Sequence, residues 1–114
     1  MFGWAKRRKN EGEVRATLYP DYSVGEIARF ISAIAQGHHV CEAYLMVPNL
    51  DGISTYRPNS VNLVYVLGEG STFKDLHEFQ DEIYSVFREQ VRPYASGPND
   101  RMYHSAIKEG LRIV

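Results

Sequence analysis

The residues of this sequence that could do chemistry fall into small groups, and the first combines histidine with cysteine. His38, His39 and Cys41 lie within four consecutive positions. A zinc site needs four ligands, and a thiol nucleophile needs a base from elsewhere in the fold. Neither set of partners is recognisable in the sequence. We therefore interpret Cys41 as a small buried hydrophobe and the two histidines as part of a solvated turn after Gly37.

A second group is the glycine-containing loop over residues 68–72, between a predicted strand and a predicted helix. Backbone N–H groups and the helix dipole at such a position favour an anion, so Gly68, Gly70, Ser71 and Thr72 could hold a phosphate. The loop lacks the Gly-Lys-Ser/Thr ending of a P-loop, and Glu69 would repel an anion. A turn with Thr72 as helix cap is the simpler interpretation, and a sensor of an anionic metabolite or nucleotide is the alternative function.

A third group lies on the same predicted helix, where His77 and Asp81 are four residues apart and share a face. Glu78 and Glu82 lie beside them. Two ligands do not make a metal site, and a pair at this spacing stabilises a helix by only about 0.2–0.5 kcal/mol. Two of these carboxylates could be chosen for glycosidic chemistry, but no cleft or apolar environment that raises one pKa is evident. We predict no catalytic residue, metal or cofactor. An enzyme using His39 or His77 with Cys41 is the least favoured reading.

Tyrosine is abundant, with eight residues among 114. Its large contact area, polar tip and few rotatable bonds suit protein-binding surfaces. Tyr56, Tyr94 and Tyr103 fall in or beside predicted loops, where they could be exposed. Coverage of the two sheet faces would explain the tyrosines equally well.

Charge is distributed unevenly along the chain. The formal net charge is −1, but Lys6, Arg7, Arg8 and Lys9 leave residues 10–114 with nine basic and 14 acidic residues. An acidic body argues against a broad nucleic-acid surface, because phosphate binding needs clustered lysine and arginine. We interpret residues 1–12 as a basic flexible arm, the one segment that could touch a nucleic-acid backbone or anionic lipid.

Length and composition favour one soluble domain over residues 13–114. A single cysteine excludes an internal disulfide, and no apolar run approaches the ~18 residues that cross a bilayer. Residues 10–13 are polar where a secretion signal would need its apolar stretch. We therefore predict a cytoplasmic protein.

Residue patterns then predict the elements that must position these groups. Residues 13–19 alternate as a half-buried strand, and residues 40–47 and 61–67 are apolar runs typical of central strands. Residues 53–57, after Asp51-Gly52, could form a short return strand, and residues 111–114 an edge strand.

Helix starts and stops are more sharply marked. Ser23 and Glu26 form a capping box for a first helix, with Tyr22 and Ile27 as hydrophobic staple and Gly37 as left-handed stop. An apolar stripe predicts a second helix over residues 73–91. A short third helix starts from a cap at residue 99 or 100 and ends near Glu109.

The order of these elements resembles the split β-α-β, ferredoxin-like plan, although no family motif accompanies it. We expect an α+β fold with a three- to five-stranded, mainly antiparallel sheet. Two main helices would pack on one face, and a short helix would follow at the C-terminus.

The function that the sequence favours is a non-enzymatic protein-binding module. We expect an acidic helix surface and exposed tyrosines to cover a basic partner, as small immunity proteins and antitoxins do, since complementary charge speeds association. A homodimer that pairs sheets or edges is a further arrangement left open. The predicted binding residues are Glu78, Asp81, Glu82, Tyr56, Tyr94 and Tyr103.

Overall fold

The computed structural model describes residues 22–47 and 55–114. Three helices are present there: α1 (Val24–Ala35), α2 (Phe73–Phe87) and α3 (Arg101–Glu109). The strands are β1 (Val40–Met46), β2 (Val61–Leu67), β3 (Val91–Ala95) and β4 (Leu111–Arg112), and a 3₁₀ turn spans Arg88–Gln90. The predicted arm over 1–12, the strand over 13–19 and the first part of the return strand lie outside the described residues. Residues 55–57 are not in a strand.

The four strands form one mixed sheet in the order β3-β2-β1-β4. β1 is antiparallel to both β2 and β4, whereas β2 and β3 run parallel. The parallel pair follows from α2, which carries the chain back to the end of the sheet where β2 begins. The α+β class is confirmed, but the ferredoxin-like order and the mainly antiparallel character are not.

The start of α1 follows the predicted capping box. The Ser23 N–H donates to Glu26 Oε1 at 2.8 Å, and the Glu26 N–H donates to Ser23 Oγ at 3.2 Å. The predicted stop is wrong, because Gly37 is not left-handed; Gly70 has the positive φ among the described glycines. Helix α1 ends instead in turns whose hydrogen bonds join residues three positions apart. In one of them the Gly37 N–H donates to the Ile34 carbonyl at 3.0 Å.

The end of α2 departs further from the prediction, since the helix stops at Phe87 rather than at residue 91. Arg88 adopts a φ of 55°, which breaks the helix, and Val91 begins a strand that the sequence did not reveal. Pro93 lies in this strand. Proline is tolerated there because β3 is the last strand of the described sheet on its side, so the missing donor need not face a neighbour.

Apolar side chains pack on both faces of the sheet. Helices α1 and α2 cover one face over a large core that includes Ile31, Leu45, Leu63 and Phe79. Helix α3 covers part of the opposite face through a small cluster of Tyr44, Val64 and Ala106. Side chains that alternate along β1 and β2 therefore enter two separate cores.

Candidate partner-binding surface

Helix α2 presents a surface that we call the acidic face, formed by Asp75, Glu78, Asp81 and Glu82. The buried side of the helix, which includes Phe79, fixes the orientation of these carboxylates. Glu78, Asp81 and Glu82 are exposed, and Asp75 is half-buried. With Lys74 as the one lysine or arginine of the helix, α2 carries a formal charge of −3 when its histidine is neutral.

Three of these carboxylates meet a basic side chain. Glu78 lies 3.9 Å from the Lys74 ammonium, an exposed pair of the kind that adds little stability. Glu82 Oε1 contacts His38 Nε2, and Asp75 Oδ2 lies 3.7 Å from His39 Nδ1. Asp81 makes no salt bridge within the described part of the chain. Its carboxylate is thus available to a partner.

Aromatic rings border the acidic face. Phe73 is 82% exposed, well above the other exposed large apolar side chains of the described residues, and Tyr84 is 49% exposed. His77 lies between them on the same side of the helix and is also exposed. The Arg88 guanidinium lies 5.3 Å from the centre of the Tyr84 ring. This ring therefore already accepts a cation on its face.

Sequence reasoning missed Phe73. The sequence did place Phe73 directly after the Thr72 cap and before the first buried position of the helix, where an aromatic side chain can remain exposed. Propensity could not distinguish an exposed aromatic residue at that position from one folded back onto the core.

The predicted tyrosines do not all join the acidic face. Tyr94 is 40% exposed and lies beside Val64, whose side chain packs under α3, and Tyr103 belongs to α3 itself. Both tyrosines are therefore on the sheet face opposite α2. Tyr56 is 39% exposed at the start of α1, where its carbonyl accepts the Val24 N–H at 2.8 Å. The structure brings the three carboxylates together and separates Tyr94 and Tyr103 from them.

Tyr103 instead belongs to a polar cluster that ties α3 to the sheet. Its hydroxyl donates to Glu42 Oε1 at 3.0 Å, and the Tyr44 hydroxyl donates to the same oxygen at 2.7 Å. The Arg112 guanidinium lies 5.7 Å from the centre of the Tyr44 ring. These hydrogen bonds, that from Tyr44 above all, lower the pKa of Glu42, and the same carboxylate raises the pKa of both tyrosines.

The Glu42 cluster predicts a pH-dependent stability difference between wild type and Glu42→Gln. Because the pKa of Glu42 is lower in the folded state, its contribution is present above the usual glutamate value and is lost as pH falls through the folded pKa. The raised pKa values of Tyr44 and Tyr103 have the opposite consequence, because their contribution to stability is lost as pH rises through those values. Urea unfolding of both proteins should therefore show a difference that is steady near pH 7 and shrinks below about pH 4. A difference that stays constant down to about pH 3 would contradict this role for Glu42.

Cys41 is exposed, so its prediction as a buried hydrophobe is wrong. Val40 pairs with Leu67 and Glu42 with Val66, which leaves Cys41 as the extra residue of a β-bulge. The bulge interrupts the alternation that would have turned this side chain inward. Within the described residues no three histidine, cysteine or acidic side chains are grouped to hold a metal ion.

The loop over residues 68–72 already uses much of its hydrogen-bonding capacity internally. The Gly68 N–H donates to the His39 carbonyl at 2.6 Å, and the Ser71 N–H donates to the Gly68 carbonyl at 3.3 Å. The Thr72 N–H donates to Asp75 Oδ2 at 2.8 Å, which lowers the pKa of that carboxyl. The predicted Thr72 cap is confirmed. An anion at this helix start would have to displace the Asp75 carboxylate.

Comparisons of this chain with family models, with curated proteins and with solved structures gave no match. Over the described residues, none of the helices combines the length and the apolar character needed to cross a bilayer.

Proposed function

We propose that this chain is a non-enzymatic protein-binding module that holds a basic partner on the acidic face of α2. The observation that carries the proposal is the arrangement of that helix. Glu78, Asp81 and Glu82 are exposed together, and Phe73 and Tyr84 lie exposed beside them. Carboxylates next to exposed aromatic side chains match the chemistry of arginine and lysine side chains.

The two aromatic rings supply what charge alone does not. Exposed ion pairs add little free energy in water, so carboxylates mainly steer and orient a partner. An aromatic side chain that becomes buried in an interface contributes apolar area, and such residues often dominate binding energy. We expect Phe73 to be the apolar anchor and the exposed part of Tyr84, whose ring already meets Arg88, to add apolar contact.

The more specific form of the proposal is an inhibitor of the immunity or antitoxin type, acting in the cytoplasm. A small acidic surface can cover the basic cleft of a nuclease or toxin, and opposite charges raise the association rate. The anion-sensor alternative gains no support from the loop over residues 68–72, since its N–H groups at Gly68, Ser71 and Thr72 are already donated within the chain.

Reversing charge on the acidic face should remove the partner. The variant Glu78→Lys/Asp81→Lys keeps the contact between Glu82 and His38. We expect the amount of captured partner to fall at least about tenfold, because the new lysines repel a basic surface. The measurement is quantitative mass spectrometry of proteins captured from the host on the tagged chain.

The matched control is Glu69→Lys/Glu109→Lys, which makes the same change in net charge at two exposed positions outside α2. It should retain the partner as wild type does. Equal loss in both double variants would show that net charge, and not the acidic face, governs binding. Equal retention in both would remove the acidic face from the account.

A further inference from the structure

A groove lies at the edge of the sheet that β4 forms, between this strand and α1. It has a volume of about 570 Å³ and is lined by one side of α1 from Ala28 to Gln36 and by residues 111–113. Ala28, Ser32 and Ala33 keep the helix wall low because their side chains are small. Leu111 and Ile113 make the strand side apolar. The groove therefore has room for an apolar side chain that this part of the chain does not provide.

The groove runs beside a strand edge that no other described strand covers. β4 is the terminal strand of the described sheet on this side, and the Ile113 N–H donates to the Ala43 carbonyl at 2.8 Å. Backbone groups of successive residues in a strand point to opposite sides, so the N–H and C=O of Arg112 point away from β1. The other terminal strand, β3, carries Pro93, which has no N–H to offer. Between these two edges, β4 is the better one for an added strand.

The charge at the groove selects the occupant. No acidic residue lines it, and Arg29 is exposed on its helix wall, three residues after Glu26. The Arg112 guanidinium lies over Tyr44 on the other face of the sheet, and its Nε–H donates to the Val114 carbonyl at 2.8 Å. Arg29 is therefore the cation that an incoming segment would meet.

We infer that this groove binds an extended, acidic peptide segment of another protein. The segment adds to the outer edge of β4 through the Arg112 backbone, places an apolar side chain between Ala33 and Ile113, and pairs a carboxylate with Arg29. Main-chain hydrogen bonds supply affinity and the alternate side chains supply specificity, as in other cases of strand addition. The site is separate from the acidic face and does not depend on the function proposed for it.

The test selects binders from a library of short random peptides on the intact chain. Selected peptides should alternate apolar and acidic residues, and their amide shifts in NMR titrations should centre on residues 111–113. Ala33→Trp, which fills the groove from an exposed position, and Arg29→Glu should each weaken binding at least about tenfold. Arg101→Glu, an exposed charge reversal on α3, should leave it unchanged.

Binding that survives Ala33→Trp, or that weakens equally in Arg29→Glu and Arg101→Glu, would overturn the inference. So would a library that yields only basic peptides or no binder. If a peptide shifts the amides of α2 instead of those of residues 111–113, it binds at the acidic face. That result would also contradict binding in the groove. The variant Glu78→Lys/Asp81→Lys distinguishes the groove from the acidic face. It should keep full affinity for groove peptides even if it loses its protein partner.

Discussion

Replacing Gln90 by leucine is expected to lower the free energy of unfolding by about 3 kcal/mol, because three backbone groups would lose their hydrogen-bond partner inside the protein. The Gln90 side chain is only 6% exposed. Its Oε1 accepts the Tyr22 N–H at 3.1 Å, and its Nε2 donates to the Tyr22 carbonyl at 2.8 Å and to the Pro58 carbonyl at 3.0 Å. One amide thus joins the start of α1, the approach to β2 and the turn before β3.

Urea denaturation of Gln90→Leu measures this loss, with Gln80→Leu as the matched control. Among the described residues the Gln80 side chain makes one hydrogen bond, to the Tyr65 hydroxyl at 2.8 Å, so its replacement should cost only about 1 kcal/mol. Because small domains are stable by about 5–15 kcal/mol, the Gln90 variant should unfold at a clearly lower urea concentration. A Gln90→Leu midpoint equal to that of Gln80→Leu would contradict the linking role of Gln90.

The second large effect is expected at Gly110, where alanine should destabilise the fold by about 2 kcal/mol through overpacking. A Cβ at this position would lie 2.8 Å from the Ala106 carbonyl oxygen, 3.0 Å from Met46 Sδ and 3.1 Å from Tyr44 Cβ. The backbone of Gly110 is ordinary extended chain, with a φ of −87°. Glycine is therefore needed for the close approach of α3 to β1 and not for its conformational freedom.

Thermal unfolding of Gly110→Ala can be compared with that of Gly97→Ala. No atom lies within 4 Å of the Cβ that Gly97 would gain, and its φ is not positive, so that variant should change stability by less than about 0.5 kcal/mol. A Gly110→Ala protein that melts with the Gly97 variant would show that α3 is not packed against the sheet as described.

The parts of the fold that the sequence predicted well are governed by local chemistry. The capping box at Ser23 and the cap at Thr72 depend only on residues close in the chain, and both are present. The short third helix begins after Asp100 and ends at Glu109, within the predicted limits. Spacing of four residues also placed Glu78 and Glu82 on one exposed surface of α2.

The parts that the sequence missed depend on contacts between distant residues. A bulge turned Cys41 outward, and the break at Arg88 converted the predicted end of α2 into a turn and a strand. Which tyrosines share a surface depends on strand register, which is why Tyr94 and Tyr103 were grouped with a helix on the other side of the sheet. The groove beside β4 and the Glu42 cluster likewise join elements far apart in the chain.

The central claim is that the acidic face of α2 steers a basic partner, and the most direct test is the association rate as a function of salt. With the captured partner in stopped-flow mixing, the wild-type rate should fall steeply as salt rises, because screening shortens the reach of opposite charges. The Glu69→Lys/Glu109→Lys control should keep that slope. Glu78→Lys/Asp81→Lys should associate slowly with a nearly flat salt dependence. Superimposable slopes for the two double variants would contradict the account.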